Sequence, residues 1–229
     1  MKNILLSSFA TILLLSCKLN SSTPEKQSEA YYNFTPTDKI MLLKYKKEEI
    51  IIFKNEDNDE VIFNVKDIYE EKDFYTVGMG FFTTYAASYF YYDFKTIDIK
   101  VTKNNVSWGQ FTLRFQKWPE NAQLAKDNKY TKYPDKFYGN MNYLPLWNGQ
   151  TGKESWSSYG CNINYDNPTS TMSIGNKTYF DVLTINSGSN TPVILNPTMT
   201  RDVNIIYYDK KNGIIGFDDL NNKHWRLQN

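Results

Sequence analysis

Residue types that do covalent or acid–base chemistry are scarce in this chain. His224 is the one histidine, and Cys17 and Cys161 are the two cysteines. A Cys161/His224 pair would supply a nucleophile and its base. However, His224 stands beside Trp225 in an apparent terminal strand, where an exposed strand position already accounts for it. Adjacent carboxylates occur at Glu48/Glu49, Glu70/Glu71 and Asp218/Asp219. Glycoside hydrolysis needs two carboxyls across a cleft, whereas sequence neighbours on a strand point to opposite faces, so a working pair would have to be assembled at long range. Asn55-Glu56-Asp57-Asn58-Asp59-Glu60 superficially resembles a calcium loop. It has Glu60 where that loop needs Gly and Lys66 at the twelfth position, and reads as a solvated hairpin loop. There is no zinc-ligand spacing, no phosphate-cradling Gly loop and no Gly-x-Ser-x-Gly elbow. The reading is of no catalytic residue, no metal and no cofactor.

Cys17 belongs to a different chemistry. It follows a positive start at Met1 and Lys2, an apolar core from Ile4 to Leu15 and the small Ser16, the three parts of an export signal. The core is too short to span a bilayer, which takes roughly 20 mostly apolar residues. An ordinary secretory signal with a chance cysteine is the plain alternative. Leu14-Leu15-Ser16-Cys17, with Leu at −3, Ser at −1 and Cys at +1, resembles the lipobox of bacterial lipoproteins. That resemblance implies cleavage of residues 1–16, a diacylglycerol thioether on Cys17 and a fatty-acylated amino group of the palmitate type. Several acyl chains hold firmly where one is marginal. Lys18 at +2 implies the outer membrane in the enterobacterial class. Surface export in the Bacteroidota class uses acidic residues after the cysteine, and here Leu19 and Asn20 follow, so the periplasm-facing leaflet is favoured.

Elements must position whatever site the chain carries. Lys18–Ala30, almost without apolar residues, reads as a flexible tether, so residues 17–30 are lipidated cysteine and linker and 31–229 one β-rich domain. The net charge of +1 falls to zero once Lys2 leaves with the signal. Basic and acidic residues are interleaved, which argues against a nucleic-acid partner. With Cys17 lipidated no intramolecular disulfide is possible. Cys161 is read as a small buried hydrophobe, with an intermolecular bridge or a reactive thiol as alternatives.

Aromatic and β-branched runs separated by Asn, Asp, Gly and Lys turns predict an all-β fold. The expected strands are 40–45, 50–54, 61–66, 89–101, 106–115, 179–185, 203–208, 214–217 and 224–227. One short helix is expected over Pro119–Lys126, with Pro119 at its first position. For the hairpin around 102–105 a four-residue loop would set Val101 against Val106, Ile99 against Trp108, Phe94 against Leu113 and Tyr92 against Phe115. Buried parity on the first strand changes from Tyr92 and Phe94 to Ile97, Ile99 and Val101. On the second it changes around Gly109. Both strands would thus change their buried face together, as in a strongly bent single antiparallel sheet of half-barrel form. Asn212-Gly213 and the turn at 219–223 predict a C-terminal three-strand meander.

Ile174-Gly175-Asn176-Lys177-Thr178-Tyr179 and Ile206-Tyr207-Tyr208-Asp209-Lys210-Lys211-Asn212-Gly213-Ile214-Ile215-Gly216-Phe217, followed by Trp225, resemble the ending of uncharacterised Bacteroidota-type lipoproteins. The resemblance implies a cell-envelope address and transfers no catalytic residue. Between the hairpins lies an aromatic-rich irregular excursion containing Trp118, Tyr143, Trp147 and Trp156. These rings either pack the excursion onto the sheet or line a groove for a lipid, glycan or protein segment. The function expected is non-catalytic binding of an apolar, amphipathic or glycan ligand, with the concave face of the sheet as the place for an apolar one. A structural subunit of an envelope complex and a glycan-active enzyme are the alternatives.

Overall fold

A computed structural model describes residues 28–76, 88–143, 159–186, 203–219 and 221–228. The fold is all-β, a single curled sheet of half-barrel form. Its strands are β1 (Tyr31–Tyr32), β2 (Ile50–Lys54), β3 (Glu60–Thr76), β4 (Ser88–Lys103), β5 (Val106–Pro119), β6 (Asp135–Tyr143), β7 (Tyr159–Ile163), β8 (Ser170–Ile174), β9 (Lys177–Asn186), β10 (Val203–Asp209), β11 (Gly213–Asp219) and β12 (His224–Leu227). They run in the order β7-β6-β5-β4-β3-β2-β12-β11-β10-β9-β8, and β1 lies parallel to β4. The short β12 thus joins the two halves, with β2 on one side and β11 on the other.

The inner face is filled. Phe53 lies 4.6 Å from Phe63 and 5.5 Å from Phe217, Phe63 lies 5.0 Å from Phe111, and Phe137 lies 4.9 Å from Tyr165, all between ring centroids. Ten strands contribute to this one core. Rings contributed by strands far apart in the sheet can meet only on the concave side of a curled one. The β7 edge of the sheet approaches β10 at Tyr165, whose hydroxyl is 3.0 Å from that of Tyr208 and whose carbonyl accepts from Lys210 Nζ at 2.7 Å. Cys161 is buried in the same core.

A second cluster covers the opposite face of the long β3–β4 hairpin. On β4, Ile97, Ile99 and Val101 face the inner core, while Phe90 and Tyr92 belong to a cluster with Tyr32 and Ala125. The change of buried face expected on this strand is therefore real, because period-two alternation puts these two sets on opposite sides. Below Phe94 strand β5 leaves β4, and β1 takes the vacated edge with Tyr31 opposite Tyr91.

Several expectations are corrected. The hairpin register is Lys103 opposite Val106, then Ile99 opposite Phe111, Ile97 opposite Leu113 and Lys95 opposite Phe115. Asn104 and Asn105 both take positive φ (46° and 65°), which closes a two-residue turn. A bulge between Val101 and Thr102 then shifts the ladder at Gly109. The change of buried face expected on β5 rests on Trp108, whose side chain lies outside the described residues. Residues 40–45 form no strand. Instead α1 spans Pro36–Met41 with a capping box, Thr35 N donating to Asp38 Oδ2 at 2.7 Å and Asp38 N to Thr35 Oγ1 at 3.1 Å. The second helix, α2, is Ala122–Asp127 and is capped by Asn121, while Pro119 closes β5 opposite Asp135. In the described part of the aromatic excursion, β6 and β7 add to β5 as two further antiparallel strands. Near the N-terminus, Ala30 at the end of the expected tether is buried.

Candidate functional site

Strands β5, β6 and β7 present two faces. Phe115, Phe137, Met141 and Ile163 point into the core, so alternation turns Arg114, Gln116, Trp118, Lys136, Tyr138, Asn140 and Asn162 outward. The ladders align them in rows across the strands: Arg114 opposite Asn140 opposite Asn162, Gln116 opposite Tyr138, and Trp118 opposite Lys136. Together with Pro119, Glu120, Ala122 and Asn164 they line an open cavity of about 660 Å³. That size lies within the range of small-molecule sites.

The backbone here is drawn close by a small residue. A Cβ on Gly139 would sit 2.9 Å from Tyr165 Cε2 and 3.0 Å from Ile163 Cβ. The missing side chain lets the Tyr165 ring lie against β6 on the inner face.

Aromatic and charged groups then fix the wall. The Trp118 ring makes edge contacts with Tyr92, Tyr75 and Phe90 at 4.7, 4.9 and 5.0 Å, so it packs on the outer cluster and lines the cavity at once. The Arg114 guanidinium lies 4.8 Å from the Phe94 ring centroid and donates from Nη2 to Tyr92 Oη at 3.2 Å. Tyr92 in turn donates to Asp73 at 2.9 Å. Burial, followed by the hydrogen bond to Asp73, pushes the Tyr92 hydroxyl up to about 12, so it remains a protonated relay between cation and carboxylate. Lys136 pairs with Asp166. Asn140 Nδ2 donates to Asn162 Oδ1 at 3.1 Å. Arg114 Nε and Asn140 Oδ1 are shielded from solvent and have no partner among the described residues, at a cost of about 1–3 kcal/mol each.

Of the ring residues expected to bind ligand, Trp118 is brought to the cavity. Trp147 and Trp156 lie outside the described residues, as do Cys17 and the side chain of Tyr143, whose backbone ends β6. The polar half of the site, Arg114, Gln116, Asn140 and Asn162, escaped the sequence reading. Asn and Gln on a half-exposed strand carry no periodic signal, and only the ladders bring them together. The concave face, expected to receive an apolar ligand, is lined by the packed core, and the groove lies on the opposite face.

Other candidate chemistry is dispersed. Cys161 is buried on β7 at one edge of the sheet, while His224 is exposed on β12 with Nδ1 2.9 Å from Asp218. They form no nucleophile–base pair. Asp218 also accepts from Tyr207 at 2.7 Å and Arg226 at 2.8 Å. Its neighbour Asp219 is buried and accepts from Trp225 Nε1 at 3.1 Å, so the two carboxyls serve different networks. Glu48 pairs with Lys66, and Glu70 lies 3.7 Å from Lys95. Asn55 Oδ1 accepts from the Asp57 and Asp59 amides at 3.0 and 2.9 Å, which makes 55–60 an ordinary side-chain-capped turn. No cluster of three metal-ligating side chains occurs among the described residues.

Comparison with protein-family models, with curated proteins and with solved structures finds no match for this chain.

Proposed function

We propose that this protein is a lipid-anchored lipoprotein of the bacterial cell envelope, of the Bacteroidota type, that binds a glycan in the groove across β5, β6 and β7. The observation that carries the ligand class is the make-up of that groove. Trp118 and Tyr138 contribute aromatic rings to its wall, and Arg114, Gln116, Asn140 and Asn162 contribute hydrogen-bonding groups. A sugar ring has the matching duality: axial C–H groups that lie on an aromatic face and a rim of hydroxyls that both donate and accept. The unpartnered Arg114 Nε and Asn140 Oδ1 lack one acceptor and one donor, the combination a single hydroxyl supplies once these side chains open toward the groove. An apolar ligand would leave all of these groups unsatisfied.

Binding without turnover is favoured because Glu120 is the one carboxyl among the described lining residues, and glycoside hydrolysis takes two. Anchoring by acyl chains on Cys17, in the outer membrane and facing the periplasm, would bring the groove to envelope polysaccharide. A second reading, an interaction subunit of an envelope complex, draws support from β3. Among the described residues this strand pairs beyond Val65 with β4 alone, and its other edge could take a partner strand.

An array of envelope oligosaccharides probed with the native chain and with Gln116→Ala and Tyr138→Ala tests the first reading. Selective retention is expected, weakened about tenfold by either variant, equivalent to 1.4 kcal/mol. Binding unchanged in both variants, or absent from the native chain, overturns it.

A further inference from the structure

One positive charge in the groove is left unanswered by the described residues. Arg114 is half-buried on β5, and its guanidinium meets the Phe94 ring at 4.8 Å and the Tyr92 hydroxyl at 3.2 Å, with no carboxylate of the described residues at ion-pair distance. Other cations drawn into the sheet are matched: Arg226 pairs with Asp218 at 2.8 Å, and Lys117 with Asp38 and Asp135 at 2.9 and 3.1 Å. Lys136, which also lines the groove, pairs with Asp166. The acids nearest Arg114 do not replace such a partner. Asp73 is separated from it by the Tyr92 hydroxyl, and both Asp73 and Glu71, which stands opposite Phe94, are exposed on β3, where water screens them. Glu120 follows six residues later in the chain, about 20 Å away along extended backbone. A charge taken partly out of water is ordinarily paired, and here the missing partner faces a cavity.

We propose that the groove selects an acidic glycan, with an anionic substituent of the sugar, carboxylate or phosphate, seated on Arg114. This deepens the glycan reading and rests on it. A guanidinium carries its donors in a planar fork that meets two oxygens of one oxyanion, and such charge-assisted bonds are roughly twice as strong as neutral ones. Arg114 Nε is unpartnered, so the fork keeps an unused donor. Its surroundings call for more than a bare anion. Asn140, opposite Arg114 in the ladder, has an unpartnered acceptor of its own in Oδ1, which repels an anionic oxygen and takes a hydroxyl. Trp118 packs on the same Tyr92 side chain that Arg114 binds, at 4.7 Å between ring centroids, which sets the indole near the charge. One sugar unit supplies all three contacts: ring C–H groups for the indole, a hydroxyl for Asn140 and the oxyanion for Arg114.

The test measures equilibrium binding of the full chain to matched oligosaccharides. One set contains a uronic acid and is compared with the same oligosaccharides after reduction of the carboxyl to the neutral hexose. A second set carries a sugar phosphate and is compared with its dephosphorylated counterparts. The native chain should bind the acidic member of one set about tenfold or more tightly than its neutral partner, the scale of a hydrogen bond to a charged group, and the set that shows the preference identifies the anion. Arg114→Gln should bring acidic and neutral members to parity, and Arg114→Lys, which keeps the charge without the fork, should retain part of the preference. The matched ligands test the charge on the native chain, so the result stands even where a variant fails to fold. Equal binding of acidic and neutral members by the native chain overturns the inference while leaving the glycan reading intact, and an acidic preference that survives in folded Arg114→Gln overturns the assignment to Arg114. A native chain that binds no member of either set overturns the glycan reading, and the inference with it.

Discussion

Replacing Lys117 by Met removes the cation from a buried ion cluster directly behind the groove. Lys117 lies on β5 between Gln116 and Trp118 but points the other way, and its Nζ is 2.9 Å from Asp38 and 3.1 Å from Asp135. The Lys117 and Asp38 side chains are only 7% and 5% exposed, so solvent screens the pair little. Burial disfavours the ammonium, but the hydrogen bonds to Asp38 and Asp135 outweigh it and raise the Lys117 pKa above its ordinary value. A raised lysine pKa contributes stability that is fully present below the unfolded value, near 10.4, and is lost only as pH rises through the folded value. Near neutrality the whole contribution is therefore in place. Methionine fills similar volume but leaves Asp38 as an uncompensated buried charge, for which the cost is about 3–5 kcal/mol. At about 2–4 °C per kcal/mol for a domain of this size, the midpoint should fall by about 6–20 °C in thermal melts followed by circular dichroism at pH 7. Asp38→Asn in the Met background should recover part of the loss, because the orphaned charge is then gone, although the Asn must still serve the Thr35 cap. If Lys117→Met melts with the native chain, the cluster is not holding α1 against β5 and the reasoning fails.

Gly213 opens β11 at φ +80°, and a Cβ there would overlap the Tyr45 hydroxyl. Gly213→Ala should cost at least about 1–2 kcal/mol from the left-handed backbone alone, read as a lower urea midpoint with unchanged slope; an unchanged midpoint would show that the turn relaxes freely. Burial would raise the Asp218 pKa, but hydrogen bonds from His224, Tyr207 and Arg226 hold it below the usual carboxylate value. Its stabilisation is thus present above the unfolded pKa and lost as pH falls through the folded one, so Asp218→Asn should destabilise at pH 7 and flatten the acid limb of a stability-versus-pH curve, whereas a parallel curve would refute that role.

How much of the fold could be read in advance differed along the chain. Strands β2, β9, β10, β11 and β12 were legible because each combines a dense apolar run with Asn, Asp or Gly at its ends, and local turn chemistry is enough to set such boundaries. The meander of β10, β11 and β12 needed nothing more than short connections. Strand β6 was not legible. Its inward positions are Phe137, Gly139 and Met141, and the gap at Gly139 is filled by Tyr165 from the loop after β7. A strand whose core position is completed by a distant ring shows no alternation of its own. Helix α1 was masked in the same way, since Ile40, Leu42 and Leu43 favour a strand reading while the deciding groups, Thr35 and Asp38, lie just before them.

The sequence by itself determined the all-β character, the turns at 55–60, 212–213 and 219–223, and the change of buried face along β4, all of which depend on neighbours within a few residues. The same local reading supplies the expectation of an anchor at Cys17. Only the tertiary structure decided that the concave face is filled with core and that β5, β6 and β7 form a separate polar and aromatic groove behind it. Each of those facts depends on which strand pairs with which and in what register. A two-residue turn at Asn104–Asn105 and a bulge beside Gly109 are enough to change that register, and the pairing energies that select it come from side chains far apart in the chain.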